Sequence, residues 1–270
     1  MSLAGLLAGV AQVLSEHPLD TLKTRLQTRA RADLLSARGW PSLLTLTMSS
    51  EGPRALFLGI WPRLLTYGAV KMSLFGFYEH FRRDTWGLSP AAAGALAGLS
   101  NSVMSCPADV VKSRCQVAML QAGAGSAPVQ FMRTLRDLVT VHGARSLFTG
   151  LLPLAARDTL GYAILFSVFD VGQQQNVVPS WMVSGLAGCS FYAATLPVDR
   201  VKAVMMTQSF SRPAYGSWFV AARSIVAEEG LQGLYRGVVP TLARTFVGQA
   251  VGLTVYASMM AATSADNKGE

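Results

Sequence analysis

The chain has 270 residues, of which 51% are hydrophobic and only 14% are charged, and its mean hydropathy is +0.34. Soluble proteins carry about a quarter charged residues, so this deficit indicates a chain dissolved largely in lipid, where buried charge is costly. The net charge of +8 then favours contact with anionic lipid headgroups, whereas nucleic-acid binding would need a basic run interleaved with aromatic residues, which is absent.

Six apolar segments follow one another along the chain, and each approaches the roughly 20 residues that a helix needs to cross a bilayer. Helices are favoured over strands because the alternation of a membrane barrel is absent. The predicted fold is therefore an all-α membrane protein with six transmembrane helices and both termini on one side. The segments are Ser2–Gln27, Gly59–Phe81, Ala91–Gln116, Leu151–Gly172, Pro179–Met206 and Val238–Ala262.

The first segment begins at the N-terminus but lacks the basic leading region of a signal peptide, so we interpret it as a helix of the fold. Amphipathic stretches at Trp40–Ser50, Phe131–Val141 and Ser217–Glu228 predict short helices on the membrane surface. The glycine pairs Gly5/Gly9 and Gly94/Gly98 predict close helix packing.

The cysteines and histidines predict neither a disulfide framework nor a metal site. Cys106, Cys115 and Cys189 are odd in number and lie in apolar stretches, which is typical of small core residues in a reducing compartment. The three histidines show no metal-ligand spacing, so we expect no metal and no cofactor.

A six-residue motif occurs three times. Pro18-Leu-Asp20-Thr-Leu-Lys23 recurs at Pro107 and at Pro197, 89 and 90 residues apart. Each copy is followed by an acid-Gly or His-Gly pair and then by an aromatic-x-Gly element, which ends at Gly59, Gly150 and Gly237. The chain is therefore interpreted as three tandem repeats with pseudo-threefold symmetry, over residues 1–88, 89–176 and 177–265.

The motif places charge inside an apolar helix. Its acid and its base lie three residues apart on one helix face, and a charged face cannot contact lipid. Its proline bends the helix. Three such bends can close a ring of charges at one end of a bundle, although static kinks with charges that reach the interface are an alternative.

Three copies of Pro-x-[Asp/Glu]-x-x-[Lys/Arg] at this spacing, with the glycine elements, resemble the signature of the mitochondrial carrier family over essentially the whole chain. The resemblance implies a gate on the matrix side in which charged residues of neighbouring repeats pair. The implied pairs are Asp20 with Lys112, Asp109 with Lys202 and Asp199 with Lys23, and the implied helix kinks are Pro18, Pro107 and Pro197. Gln27 and Gln116 match the family's glutamine braces, and Met206 occupies the third brace position.

The family's second charge ring, [Phe/Tyr]-[Asp/Glu]-x-x-[Lys/Arg] on the even-numbered spans, is incomplete in this chain. Only an Arg82–Asp170 bridge remains possible. We therefore expect a weak cytosolic gate, a resting state open to the cytosol and some uniport. The positions are Tyr78, Glu79 and Arg82, then Phe169, Asp170 and Gln173, then Tyr256, Ala257 and Met260.

The marker glycines stand at helix starts, where free N–H groups can bind phosphate. The resemblance implies cardiolipin contacts at Gly59, Gly150 and Gly237, and a glycine that merely permits a turn is an equal alternative.

The substrate positions are expected seven residues beyond the marker glycines, at Thr66, Arg157 and Arg244. Arg157 would lie about 10 Å past its helix start, inside the hydrocarbon layer, so it should face a wet interior. These positions match the family's contact points, and Arg157-Asp158 resembles the pair of amino-acid and acylcarnitine carriers. The predicted substrate-binding set is Thr66, Tyr67, Arg157, Asp158, Arg244 and Gln249.

The predicted function is transport of a small metabolite across the mitochondrial inner membrane by alternating access, by a monomer with cytosolic termini. Two arginines suit a carboxylate, and Asp158 offers an acceptor for an amino or quaternary ammonium group, or else merely neutralises Arg157. An amino acid or a carnitine or acylcarnitine-like zwitterion or cation is ranked first. Lys71 would instead favour di- or tricarboxylates and oxo acids, and nucleotides rank third.

Other classes of protein have less support. An enzyme would need a nucleophile with its base, a phosphate loop or a metal site, and none is visible. A transport-inactive or proton-leak relative and a soluble helical-repeat protein are further alternatives. The mitochondrial address follows only from the resemblance, and peroxisomal and plastid membranes stay open.

Overall fold

The computed structural model describes residues 3–28, 40–57, 60–84, 86–122, 127–175, 178–208, 214–235 and 237–266. These residues are helical and contain no strand. In each repeat, two long helices flank one short helix, and single-turn segments such as Leu231–Leu234 join them. In chain order the long and short helices are α1 (Leu3–Thr28), α2 (Trp40–Ser50), α3 (Ile60–Glu79), α4 (Pro90–Ala122), α5 (Ala127–His142), α6 (Leu151–Gln175), α7 (Ser180–Thr207), α8 (Trp218–Glu229) and α9 (Val238–Asp266).

The six long helices form a closed ring. Each packs against the long helix that follows it in the chain, and α9 packs back against α1, which closes the bundle. Pro18, Pro107 and Pro197 each lie inside a long helix, α1, α4 and α7. The ring therefore places the three copies of the motif on alternate helices.

Polarity in the ring is reversed relative to a soluble protein. Large apolar side chains point outward from each long helix, and Met72, Met104 and Leu152 are 60%, 60% and 69% exposed. Charged side chains such as Asp20, Lys202 and Arg244 are buried instead. The apolar exterior is suited to contact with lipid, and the charged interior is suited to a polar path along the axis of the ring.

Hydropathy alone singles out fewer spans than the fold contains. Within the described residues, the segments Ala144–Gln175 and Ser180–Thr207 are long and apolar enough to span a bilayer on composition. The polar residues that face the interior lower the average of the other long helices, as with Glu16 and Asp20 in α1. Repetition and ring closure identify those spans instead.

Each repeat has a small apolar cluster beneath its short helix. Leu22, Leu43 and Leu56 form the cluster of the first repeat, and Val201, Ala221 and Ile225 form that of the third. In the second repeat, α5 places Phe131, Leu135 and Leu138 on one face, against a cluster that includes Cys106 and Met206. The short helices are thus held against the kinked helices through apolar faces, as their periodicity predicts.

Met206 occupies the position at which the third repeat lacks the glutamine brace. Its side chain is fully buried among Val110, Leu138 and Leu154. A methyl group on Gly150 would lie 3.0 Å from its Cγ. The residue therefore fills apolar space at the junction of repeats two and three.

The glycine elements adopt the same backbone conformation in each repeat that is described. Gly52, Gly143 and Gly230 have φ values of 80°, 77° and 73°, and Gly150 and Gly237 have φ values of 84° and 83°. Side chains other than glycine are disfavoured there. Glycine is therefore suited to the turns at Gly150 and Gly237 whether or not a lipid binds there, while Gly59 lies outside the described residues.

Candidate functional site

A cavity of about 260 Å³ with charged and aromatic lining lies on the axis of the ring, and all six long helices contribute to it. Its aromatic lining comes from Tyr67, Tyr162, Phe191 and Tyr192. Its charged lining comprises Glu16, Asp20, Asp109, Asp199, Lys71, Lys112, Lys202, Arg157 and Arg244. A cavity of this composition can hold a small charged solute together with water.

Arg157 lies between two acids of different helices. Its guanidinium is 2.8 Å from Oδ1 of Asp158, the next residue on α6, and 3.1 Å from Oδ1 of Asp199 on α7. Its Cζ lies 5.3 Å from the ring centroid of Phe191. The sequence predicts an interior-facing Arg157, and the structure adds that it holds an acid of the gate motif.

Arg244 on α9 also lies between two acids. Nη1 is 3.1 Å from Oε2 of Glu16, and Nε is 3.2 Å from Oδ1 of Asp20. The guanidinium Cζ lies 4.9 Å from the ring centroid of Tyr192. Both arginines of the predicted substrate site are thus tied to acids of the kinked helices.

The motif charges pair across repeats at one end of the cavity. Nζ of Lys112 lies 3.6 Å from Oδ2 of Asp20, and Nζ of Lys202 lies 2.5 Å from Oδ2 of Asp109. The partner expected for Asp199 is Lys23, whose side chain lies outside the described part of the chain. The side chains of Gln27 and Gln116 lie outside it as well.

Asp158 occupies a different place from the other predicted substrate residues. It is 2% exposed and ion-paired to Arg157, and it does not line the cavity. This placement favours the alternative in which Asp158 neutralises Arg157.

Two other predicted substrate residues, Tyr67 and Gln249, do line the cavity. Lys71 lines it as well, and its Nζ is 5.7 Å from the ring centroid of Tyr67. The side chain of Thr66 lies outside the described part.

The other end of the cavity carries the single bridge that the sequence allows. Nη2 of Arg82 lies 3.9 Å from Oδ1 of Asp170, and both side chains are about one-third exposed. The rings of Tyr78 and Phe166 stack beside them at 3.7 Å between centroids. Phe169 is half-buried and Glu79 is exposed, whereas the side chain of Tyr256 lies outside the described part.

Besides the contacts of Arg157 with Asp199 and of Arg244 with Asp20, sequence reasoning missed two further charged contacts. Glu16 pairs with Arg244 from the opposite end of the chain, and Arg200 lies 3.5 Å from Glu229. A signal existed for each: Glu16 is an acid in an apolar segment, and Glu229 belongs to the acid-Gly element. Their partners lie 228 and 29 residues away, so spacing could not identify them.

A closed ring of six helices, apolar outside and charged along its axis, defines a multi-pass membrane transport protein. The model of the mitochondrial carrier protein family matches the chain three times in succession, over residues 1–87, 83–177 and 173–266. The chain belongs to the mitochondrial carrier family. The predicted family, six-helix threefold fold and carrier-type transport across the mitochondrial inner membrane are thereby confirmed.

Known relatives agree with this assignment over almost their full length. The mitochondrial carnitine/acylcarnitine carrier-like protein of Arabidopsis thaliana is 31% identical, with 94% of each chain covered. The mitochondrial ornithine transporter 1 of Saccharomyces cerevisiae is 28% identical, over 95% of this chain and 93% of the relative. The mitochondrial basic amino acids transporter of Bos taurus is 28% identical, over 90% and 85%.

Proposed function

We propose that this carrier transports a solute with both a carboxylate and a cationic group, an amino acid or a carnitine-like compound, by alternating access. One observation carries the proposal: Arg157 and Arg244 line the same cavity, and each is partnered by acids. A guanidinium binds a carboxylate through two parallel N–H donors, and the acids can accept from an ammonium group.

The charge balance of the cavity supports this class of solute. Its lining has five cationic side chains and four acids, and Asp158 stands behind Arg157. A nearly neutral lining suits a zwitterion or a cation better than a di- or tricarboxylate, which would require excess positive charge. The carnitine, ornithine and basic amino-acid names of the relatives point the same way.

A bound substrate would compete with two acids of the gate motif for the arginines. Asp199 and Asp20 hold the arginines that a substrate carboxylate would bind, so the substrate would displace both acids. The proposed matrix gate is the Asp20–Lys112, Asp109–Lys202 and Asp199–Lys23 set. Its ionic bridges would have to break before the matrix side opens, and the differential binding energy of the substrate would offset their loss.

A second candidate class rests on Lys71. Its ammonium lines the cavity beside Tyr67 and adds a third cation for a di- or tricarboxylate or an oxo acid. Uptake of such an anion in preference to amino acids would favour this class.

Several further properties belong to the same proposal. We expect a monomer that does no covalent chemistry and needs no cofactor, with cytosolic termini and cardiolipin held at Gly59, Gly150 and Gly237. At the cytosolic gate, Arg82 and Asp170 would provide the ionic bridge, with Tyr78, Glu79, Phe169 and Tyr256 at the related positions.

The test is uptake into liposomes that contain the purified protein, screened with labelled amino acids, carnitine esters and carboxylates. Arg157→Ala and Arg244→Ala should each lower uptake by about a hundredfold, because truncating one member of a buried charge pair costs about 2–5 kcal/mol. Arg136→Ala, which removes an exposed arginine of α5, is the matched control. Near-normal uptake by both folded cavity variants would refute the site.

A further inference from the structure

Glu16 is a buried charge that the threefold pattern does not require. It lies on α1 one turn before Asp20, it is 3% exposed, and it lines the cavity. The equivalent positions, two residues before the motif proline, are Ser105 and Thr195 in the other repeats. A buried carboxylate is expensive, so its presence in one repeat alone calls for a specific purpose.

The neighbouring helix makes room for this side chain. A methyl group on Gly248 of α9 would overlap Cγ and Oε1 of Glu16. One turn further along α9, a methyl group on Gly252 would lie 3.0 Å from Oε1 of Gln12. The α1–α9 contact is therefore shaped around Gln12 and Glu16.

Both carboxylate oxygens of Glu16 are held in place. Gln12 donates its side-chain N–H to Oε1 at 2.8 Å, and Arg244 donates to Oε2 at 3.1 Å. The acid is thus oriented at the cavity wall beside one of the two proposed carboxylate-binding groups. A fixed orientation is what selective recognition requires.

The geometry points to Glu16 as the residue that binds the cationic group of the solute and sets the charge preference of the carrier. Asp158 is paired with Arg157 and does not line the cavity, whereas Glu16 lines the cavity beside Arg244. This inference rests on the proposed function, because it presumes that a carboxylate binds the arginines.

When the solute binds, Glu16 and Arg244 can exchange each other for the charged groups of the solute, so that both remain ion-paired. When the solute carboxylate binds Arg244, Glu16 loses part of its contact with the guanidinium and accepts N–H bonds from the solute cation. Two pairs then replace one, and no carboxylate stays buried without a partner. The site therefore selects solutes with one carboxylate and at least one cationic nitrogen.

The test is a Glu16→Gln variant in the liposome assay, with labelled lysine, glutamine and 2-oxoglutarate measured in parallel. The substitution keeps the size of the side chain, and Arg244 retains its contact with Asp20. The KM for lysine should rise at least about tenfold, which corresponds to the loss of one charged hydrogen bond. The KM for glutamine should rise by a similar factor, because glutamine carries the same α-ammonium and carboxylate, whereas uptake of 2-oxoglutarate, which has no cationic group, should improve.

Glu228→Gln is the matched control, since it removes the same charge from an exposed position on α8. Glu16→Asp should keep the preference for lysine with weaker affinity, and it serves if the amide variant folds poorly. Stabilisation of the detergent-solubilised protein by lysine, followed as a thermal midpoint, gives a second measure of binding that needs no transport.

Equal losses for all three solutes, or an unchanged order of preference in a folded Glu16→Gln protein, would overturn the role of Glu16. Uptake that survives both Arg157→Ala and Arg244→Ala would instead overturn the proposed site. The two failures are distinct, because the first concerns selectivity and the second concerns uptake itself.

Discussion

At the scale of single residues, buried charges in this protein form groups rather than isolated pairs. Asp20 contacts both Lys112 and Arg244, and Arg157 contacts both Asp158 and Asp199. Asp20 and Asp199 thereby belong both to the gate motif and to the group of charges around the two arginines. Truncating one member of such a group would leave another charge short of a partner, so the effects of substitutions should not be additive.

Arg200 and Glu229 allow that expectation to be tested away from the cavity. Their side chains are 6% and 20% exposed and join α7 to the end of α8. We expect each alanine substitution to lower the thermal midpoint of the solubilised protein. The double variant should lose less than the sum of the two, by a coupling of about 1 kcal/mol. Strict additivity would show that the contact contributes nothing to stability.

The predictability of these residues depended on local spacing. Arg157 and Arg244 could be predicted because a fixed count from each marker glycine places them inside the hydrocarbon layer. Their partners Asp199 and Glu16 lie 42 and 228 residues away, so only the closed ring brings them together. The sequence left two roles open for Asp158, an acceptor for the solute or a neutralising partner of Arg157, because adjacency in sequence does not show which of them lines the cavity.

At the scale of elements, α4 and α6 approach each other through small residues. A methyl group on Gly94 would lie 2.5 Å from the carbonyl oxygen of Tyr162, and one on Gly98 would overlap the carbonyl oxygen of Asp158. The sequence predicts this close approach from the Gly94/Gly98 pair. The partner helix could not be read from the pair, because small residues indicate contact without specifying what is contacted.

Gly98→Ala tests this packing. The added methyl group would meet backbone rather than a flexible side chain, so the helices would have to separate. We expect a loss of stability of about 1–3 kcal/mol, seen as a lower thermal midpoint. Gly76→Ala on α3 is the control, because nothing lies within 4 Å of the added methyl and alanine favours the helix. Equal midpoints for the two variants would contradict the close-packing account.

At the scale of the whole molecule, the two ends of the ring differ in their ionic bridges. Among the described side chains, two cross-repeat pairs lie at the end that carries the proline motifs, and both line the cavity. The opposite end has the 3.9 Å contact between Arg82 and Asp170. This difference in the number of ionic bridges was predictable from sequence. Each ring of charges depends on a short motif that recurs in every repeat, so a missing acid or base can be recognised within the motif itself.

A weak cytosolic gate should allow net flux without exchange. Liposomes that contain the protein should take up substrate even when their interior holds none, because the unloaded carrier can return with few bridges to break. Met260→Lys would restore the base of the third copy of the cytosolic motif, whose expected partner is Glu79, and we expect it to slow this net uptake while exchange is retained. Met260→Leu keeps the uncharged state and serves as the control. Strictly obligatory exchange by the unmodified protein would contradict the weak gate, since a resting carrier held closed at that end would need bridges that the motifs of this chain do not provide.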